Sequence, residues 1–149
     1  MYSFSRTDSS DKDFKKLVSL LDEELAKRDG DEHAFYDQFN KIENIKNVII
    51  AYADQQPVAA GAFKKFSPMV VEIKRMFVMP GFRGKGIAFQ ILHKLEKWAA
   101  ESGYSDCVLE TGKKQPEAIA LYKKSGYTII PNYGQYKNVS NSVCMQKRI

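Results

Sequence analysis

Cysteine and histidine are scarce in this 149-residue sequence. Its two cysteines, Cys107 and Cys144, lie far apart and form no CxxC pair, which argues against a disulfide-stabilised scaffold and a structural zinc site. The two histidines, His33 and His93, have no second ligand at metal-binding spacing. We therefore expect two buried, reduced thiols and no metal ion.

Long apolar runs are also missing. No stretch approaches the roughly 20 consecutive apolar residues that a membrane-spanning helix needs. The first residues, MYSFSRTDSSDKDFKK, contain no apolar core of signal-peptide length. These two absences predict a soluble, cytoplasmic protein without a membrane partner.

The composition is that of a globular protein, with no repeats, linker or low-complexity segment. Hydrophobic residues make up 44% of the chain and aromatic residues 12%, enough to fill a core. We expect a single domain over residues 1–149. Lys and Arg outnumber Asp and Glu by 23 to 18, and the resulting net charge of +5 favours an anionic partner. A phosphorylated small molecule, a nucleic acid and an acidic protein surface all fit that charge.

Apolar residues at helical spacing predict a first amphipathic helix, which begins at an N-cap among residues 9–11 and ends at Gly30. A shorter helical stretch follows, with apolar positions at Phe35, Phe39 and Ile42. Two later helices are predicted over residues 87–103 and 116–126, each ended by a glycine.

Runs of β-branched and aromatic residues predict the strands. NVIIAYA and VAAGAFKKF form a hairpin around DQQP, where Pro57 is expected in the turn because it cannot donate to a ladder. MVVEIKRMFVM, closed by Pro80, completes an antiparallel meander. DCVLET, the last helix and YTII form a crossover that predicts parallel pairing, and NSVCMQK supplies a final antiparallel strand. The fold class is therefore α/β, with a mixed central sheet, an antiparallel N-terminal meander and helices on both faces.

Glycines and cations are concentrated where the meander gives way to a helix, in VMPGFRGKGIAFQIL. Gly84 and Gly86 let successive backbone N–H groups turn toward a ligand. The first N–H groups of the helix have no intrahelical acceptor, and the helix dipole adds positive charge there. A phosphate is the natural ligand, with Arg83 and Lys85 extending the positive field.

Two common phosphate loops do not fit this segment. A dinucleotide fingerprint needs glycine where Phe89 stands, and a P-loop needs Ser or Thr where Gly86 follows Lys85. The glycines by themselves are equally consistent with a flexible turn.

Two motifs together resemble the Gcn5-related N-acetyltransferases. RGKGIA, from Arg83 to Ala88, resembles their R/Q-x-x-G-x-G/A signature, and PEAIALYKKSGY resembles their later motif of a Leu-Tyr pair shortly before a glycine and an aromatic residue. The order of elements over residues 48–127 is similar as well. One position departs from the family pattern, because Gln115 stands where many members have asparagine; glutamine offers the same amide chemistry on a longer arm.

The resemblance implies acetyl-CoA as cosubstrate, and it implies which residues bind it. Its pyrophosphate would be bound by the loop, and its pantetheine arm by backbone groups at the end of the preceding strand, where one N–H polarises the thioester carbonyl. The implied contacts are Phe77, Val78, Met79, Arg83, Gly84, Lys85, Gly86, Ile87 and Ala88, with Gln115 as an additional candidate.

Acetyl transfer also needs a group that removes the proton of an ammonium ion. Glu72 stands where histone-acetylating members of the family carry a catalytic glutamate, and an ion pair with Lys74 is an equal alternative. Strict alternation along this strand puts Glu72, Lys74, Met76 and Val78 on one face and Ile73, Arg75 and Phe77 on the other. Lys74 and Arg75 are alternatively ligands for a substrate carboxylate.

Tyr122 matches the family tyrosine that protonates the departing coenzyme A, although a core tyrosine is its ordinary interpretation. Glu110 is a second candidate base or substrate ligand. Tyr133 and Tyr136 lie on a late loop, where they either cover the acceptor site or are ordinary surface tyrosines.

The sequence thus predicts an N-acetyltransferase that transfers the acetyl group of acetyl-CoA to a primary amine by direct attack in a ternary complex. A small molecule is the expected acceptor because a compact domain has little surface for reading a protein, and a protein or peptide amine is the alternative. A coenzyme A-binding regulatory module without turnover is an alternative of another class. A nucleic-acid-binding module is disfavoured because the basic residues are scattered. Family members are often homodimers, and the sequence leaves the oligomeric state open.

Overall fold

A computed structural model describes residues 2–30 and 44–149. Seven strands form one mixed sheet in the order β1-β2-β3-β4-β5-β7-β6. The strands are β1 (Tyr2–Thr7), β2 (Asn47–Ala53), β3 (Gln56–Ser67), β4 (Val70–Val78), β5 (Asp106–Gly112), β6 (Thr128–Ile130) and β7 (Ser142–Arg148). The helices in the described ranges are α1 (Lys12–Asp29), α2 (Ile87–Glu101) and α3 (Pro116–Lys124). The predicted helical stretch around Phe35, Phe39 and Ile42 lies outside the described residues, as does His33.

The ends of α1 follow from local chemistry. The Asp11 side chain accepts hydrogen bonds from the backbone N–H groups of Asp13 and Phe14, which satisfies two of the donors that a helix start leaves free. The helix stops at Gly30, whose φ of 56° is readily adopted only by glycine. Both ends agree with the prediction.

The sheet separates two apolar clusters. Phe14, Leu17 and Val18 of α1 pack on one face, against Val48 and Ile50 of β2. The other cluster includes Ile87, Ile91, Leu92 and Leu95 of α2, together with Ile49 and Ala51 from the opposite face of β2. Because neighbouring residues of β2 point to opposite faces, a single strand contributes to both clusters. The predicted arrangement of helices on both faces is confirmed.

The hairpin between β2 and β3 turns one step earlier than predicted. Asp54 and Gln55 have φ values of 48° and 71°, which makes them the two central residues of a tight hairpin turn. Pro57 is therefore not in the turn but is the second residue of β3, opposite Tyr52, where the register shifts. A proline is tolerated there because a bulge relaxes the ladder.

Parallel pairing occurs elsewhere than predicted. β4 and β5 pair in parallel across α2, whereas β5 and β6 are not neighbours, because β7 lies between them and is antiparallel to both. The crossover from β5 through α3 to β6 therefore skips one strand position in the sheet. The C-terminal strand β7 occupies that position. The strand β1, antiparallel to β2, was not predicted.

A β-bulge interrupts β4. Ala62 pairs with Lys74 and Ala60 with Phe77, so two residues of β4, Arg75 and Met76, oppose the single Gly61 of β3. The predicted alternation is wrong beyond this point: Ile73 belongs to the α2 cluster, whereas Phe77 belongs to the α1 cluster. The extra residue reverses the faces of all residues that follow it.

Gly61 makes this close approach feasible. A Cβ at that position would overlap Met76 Sδ and would lie 2.8 Å from Ile91 Cγ2 and 3.0 Å from Leu95 Cδ1. Since Ile91 and Leu95 are fully buried, only part of this overlap can relax.

We expect Gly61→Ala to lower the free energy of unfolding by about 1–3 kcal/mol, the usual cost of overpacking a core. Chemical denaturation measures the change. Gly81→Ala is the matched control, because a Cβ at Gly81 meets nothing within 4 Å, and it should leave stability nearly unchanged. Equal stabilities for the two variants would contradict the packing described for Gly61.

The described residues contain no reactive cysteine and no metal-binding cluster. Cys107 and Cys144 are buried and free, as predicted, and burial raises the pKa of Cys107 to about 12, which makes it unreactive. Among the described residues, no three His, Cys, Asp or Glu side chains are grouped as a metal site would require. None of the helices in the described ranges is long and apolar enough to cross a bilayer.

Candidate active site

A cleft opens where β4 and β5 part. Their parallel pairing covers only three residue pairs, from Val70 with Asp106 to Glu72 with Val108. Beyond Glu72, β4 continues beside β3 and β5 continues beside β7. The cleft between them has a volume of about 810 Å³, including its open mouth. Among the predicted site residues that line it are Glu72, Lys74, Arg75, Glu110, Gln115 and Tyr122.

Glu72 stands at the base of this cleft. It is only 4% exposed, and its Oε2 accepts a hydrogen bond of 2.7 Å from the Tyr133 hydroxyl. The ring of Tyr133 packs edge-on against Phe66 of β3, with centroids 4.9 Å apart. Burial, and then the negative charge of Glu72, raise the pKa of Tyr133, so this hydroxyl stays a donor. Tyr133 therefore fixes the position of one carboxylate oxygen.

The late loop reaches the cleft through Tyr136. Tyr136 is buried and lines the cleft, and its ring contacts that of Tyr133 at 5.9 Å. Burial, the negative charge of Glu110 and that of Glu72 raise the pKa of Tyr136. Both carboxylates thus lie close enough to act on one side chain, so the cleft contains a negatively charged end.

Tyr122 lines the cleft from α3. It is 7% exposed, and its ring packs edge-on against that of Tyr127 at 5.8 Å. Burial and the charge of Glu110 raise the pKa of Tyr122, which favours the protonated hydroxyl. Tyr122 thus belongs to the apolar core and also lines the cleft, and its catalytic role stays a prediction.

Tyr127, the last residue of the PEAIALYKKSGY motif, stabilises the fold. The Tyr127 hydroxyl donates to Glu96 Oε2 at 2.8 Å, and Lys147 Nζ donates to Glu96 Oε1 at 2.8 Å. This buried network joins α2, the end of α3 and β7. It holds the helix that carries Tyr122 against the sheet.

Gln115 stands at the start of α3 and lines the cleft. It is the N-cap residue, yet its side chain makes no capping hydrogen bond. The neighbouring backbone is anchored by the Lys113 N–H, which donates to the Asn141 carbonyl at 2.7 Å. The amide of Gln115 is thus placed at the wall of the cleft rather than used by its own helix.

The glycine loop lies at the edge of the sheet where β4 ends. Gly84 and Gly86 have φ values of 77° and 79°, and a Cβ built on either would meet nothing within 4 Å. The first hydrogen bond of α2 runs from the Gln90 N–H to the Gly86 carbonyl. The N–H groups of the preceding turn, Ile87 to Phe89, are therefore those that a helix start leaves free. The absence of side chains at the two glycines, the unpaired N–H groups and the helix dipole together favour the binding of a phosphate.

Arg83 and Lys85 do not extend into this space in the structure. Arg83 Nη2 forms an ion pair with Glu24 of α1 at 2.8 Å, and its Nε donates to the Val78 carbonyl at 2.8 Å. Lys85 Nζ lies 5.9 Å from the centre of the Phe82 ring. Arg83 braces the end of β4 against α1, a contact that the sequence did not reveal.

The end of β4 leaves one backbone donor that β3 does not use. The Met79 N–H donates to the Val58 carbonyl of β3 at 2.8 Å. Since an antiparallel ladder alternates, the peptide groups of Phe77 also face β3, and those of Val78 face away from it. The Val78 carbonyl accepts from Arg83, and the Val78 N–H points to the side from which β5 has separated. This strand end fits an extended, amide-containing ligand.

The first helix contributes residues that sequence reasoning missed. Leu21 and Leu25 line the cleft, and Asp22 forms an ion pair with Arg75, with Oδ1 and Nη1 2.8 Å apart. These residues are part of an ordinary amphipathic pattern, and no local signal in the sequence distinguishes them. Only the position of α1 over the end of β4 brings them to the site.

Comparisons with known proteins agree with this geometry. The model of the Acetyltransferase (GNAT) family matches residues 14–127. The IAA acetyltransferase of Azospirillum brasilense is 41% identical over 76 residues, which cover 51% of this chain and 50% of that protein. The uncharacterised N-acetyltransferase YjcF of Bacillus subtilis is 30% identical over 94 residues, 63% of this chain and 64% of that protein. The matched segments thus span between half and two thirds of these two relatives.

Solved structures extend the similarity to almost the full length. A Klebsiella pneumoniae protein assigned as an acyl-CoA N-acyltransferase superposes with a TM-score of 0.82 at 27% identity, over 99% of this chain and 97% of that one. The PaiA N-acetyltransferase of Thermoplasma acidophilum, solved with coenzyme A, has a TM-score of 0.75 at 16% identity, over 100% and 99%, which shows the fold alone. The parted strands, the glycine loop and the family match lead to one conclusion: the chain belongs to the GNAT acetyltransferase family.

Proposed function

We propose that this protein is an N-acetyltransferase that transfers the acetyl group of acetyl-CoA to the primary amine of a small molecule. The observation that carries the proposal is the parting of β4 and β5 beside the glycine loop. The proposal is supported by a helix start with unpaired N–H groups, a strand end with one unused N–H and a cleft lined by two carboxylates in this part of the molecule. Family membership supports the same reaction, with acetyl-CoA as the acetyl donor.

Separate parts of the chain bind the pyrophosphate and the pantetheine arm of acetyl-CoA. Backbone groups from Gly84 to Ala88 bind the pyrophosphate, with positive charge from Lys85 and Arg83. Arg83 reaches it only by leaving Glu24. The pantetheine arm lies along the strand end from Phe77 to Met79, where the Val78 N–H is the donor that β3 does not use, and Gln115 donates its amide from the opposite wall.

Glu72 acts as the base. It accepts a proton from the acceptor ammonium ion, directly or through water, and passes it to solvent. The free amine then attacks the thioester carbonyl carbon while the Val78 N–H donates to the developing oxyanion. The intermediate loses its second nitrogen proton to Glu72 and the C–S bond breaks. The thiolate takes one proton, so an ammonium ion and a thioester become an amide, a thiol and one free proton.

Tyr122 stabilises the departing sulfur mainly by donating a hydrogen bond. Its pKa is raised, whereas a thiol has a pKa of about 8.5. Full proton transfer from Tyr122 to the thiolate is therefore unfavourable, and solvent supplies the final proton. This assignment gives Tyr122 a smaller contribution than Glu72.

The acceptor is proposed to be a small molecule because Tyr136 of the late loop lines the cleft. A peptide or protein amine would have to pass beneath this loop, which makes it the weaker candidate. We also propose a cytoplasmic location, a homodimer and a single domain over residues 1–149.

Acetyl-CoA should bind with a measurable heat in calorimetry at low salt, and free thiol should appear when a panel of primary amines is added. Desulfo-coenzyme A, which lacks the acetylated sulfur, is the control ligand and should bind without supporting thiol release. Lack of acetyl-CoA binding would overturn the proposal. Tight binding without thiol release from any amine, polyamine, amino acid or peptide would instead favour a coenzyme A-binding regulatory module.

A further inference from the structure

Arg75 is held in a conformation that its residue type does not favour. Its φ is 59°, in the left-handed region that residues other than glycine seldom adopt. The bulge opposite Gly61 imposes this conformation. Such strain persists where surrounding structure enforces it, and it is frequent at functional sites.

The guanidinium of Arg75 is buried but only partly paired. The side chain is 3% exposed, and Nη1 lies 2.8 Å from Asp22 Oδ1. Nη2 is fully buried and has no hydrogen-bond partner in the described part of the chain. A buried charged donor without an acceptor costs free energy, and an acceptor supplied by a ligand would remove that cost.

Arg75, the residue that carries this unpaired donor, lines the candidate active site. Arg75 lines the cleft with Lys74 on β4, and Glu72 and Glu110 line the same cleft. Three residues of a strand span about 10 Å, so Glu72 and Arg75 mark separate ends of one small-molecule site. The carboxylates attract an ammonium group, and the guanidinium attracts an anion.

We propose that the acceptor is an amine that also bears a carboxylate, and that Arg75 binds this carboxylate through Nη2. Asp22 binds Nη1 and so fixes the position of the guanidinium. The other terminal nitrogen, Nη2, is left to bind the substrate carboxylate. Arg75 is then a specificity-determining residue. The inference rests on the proposed acetyl transfer and adds the chemical class of the substrate.

The test compares amino acids of increasing chain length with their matched primary amides, in which the carboxylate is neutral. In the wild-type protein, kcat/KM from thiol release should be about 10- to 100-fold higher for the best acid than for its amide, the range expected for a charge-assisted hydrogen bond. Equal values for acid and amide, or turnover of amides alone, would overturn the inference without any variant.

Arg75→Gln should remove this preference by raising KM for the acid, with little change for the amide and in the affinity for acetyl-CoA. Arg75→Lys, which keeps the charge but not the fork, should retain part of it. Arg6→Gln is the matched control, because Arg6 also pairs with a carboxylate, that of Glu101, but at the surface. Equal losses for acid and amide in Arg75→Gln would indicate a structural role, and weaker acetyl-CoA binding would assign Nη2 to the cosubstrate; either result overturns the inference.

Failure of the inference can be distinguished from failure of the proposed function. If acetyl-CoA binds and neutral amines are acetylated as well as acids, the transferase function stands and the carboxylate class is wrong. If acetyl-CoA does not bind to the wild-type protein, the proposed function fails and the inference falls with it.

Discussion

Replacing Gly86 with valine is expected to weaken acetyl-CoA binding by at least about 100-fold. Gly86 has a φ of 79°, which a β-branched residue can adopt only with strain. Its Cβ would also enter the open space in front of the α2 amides, where the proposed pyrophosphate lies. Loss of two hydrogen bonds to a charged group is sufficient for the expected effect. Calorimetry at low salt measures it.

Gly103→Val is the matched control for this substitution. Gly103 follows the other end of α2, has a φ of 94° and is also surrounded by open space. Its replacement should cost a similar amount of stability and leave acetyl-CoA affinity unchanged. If Gly86→Val bound acetyl-CoA as tightly as the wild-type protein, the loop would not be the phosphate site.

Glu72→Gln is expected to lower kcat/KM by about 100- to 10,000-fold, the usual contribution of a general base. Glutamine keeps an oxygen for the Tyr133 hydroxyl but cannot accept a proton. Acetyl-CoA affinity should not change. The deficit should shrink as pH rises toward the pKa of a lysine-like amine, about 10.4, because more of the acceptor is then already neutral. Steady-state thiol release over a range of pH measures both effects.

Two other variants make this test specific. Tyr122→Phe should lower kcat by only about 10-fold, since a thiol of pKa about 8.5 leaves readily. Glu110→Gln should retain most activity because we assign its carboxylate to substrate attraction rather than to proton removal. A large loss in Glu110→Gln with little in Glu72→Gln would instead make Glu110 the base.

Much of the fold could be read from local patterns. The strand Asn47–Ala53, the cap at Asp11 and the start of α3 at Pro116 follow from side-chain type and spacing. The strand Tyr2–Thr7 was missed because its alternating YSFSRT is short and rich in serine. It is an edge strand, and a strand of that kind needs little apolar character.

Long-range features could not be read in this way. The position of β7 between β5 and β6 is a matter of strand order, which a linear pattern does not encode. Arginine does not favour a positive φ, so the position of the bulge at Arg75 could not be predicted; the local signal was Gly61, since a glycine inside a strand often marks a bulge. The hydrogen bond between Tyr133 and Glu72 joins residues 61 positions apart. The motifs thus located the site, while its internal contacts required the folded chain.

The placement of β7 sets the order in which the site can be completed during synthesis. The meander and α2 leave the ribosome early, but β5 has no partner on its outer side until residues 142–148 emerge. Until then the wall that carries Glu110 is an open sheet edge, which is prone to pair with other chains. The nascent protein therefore completes its candidate active site only when nearly all of this sequence has been translated.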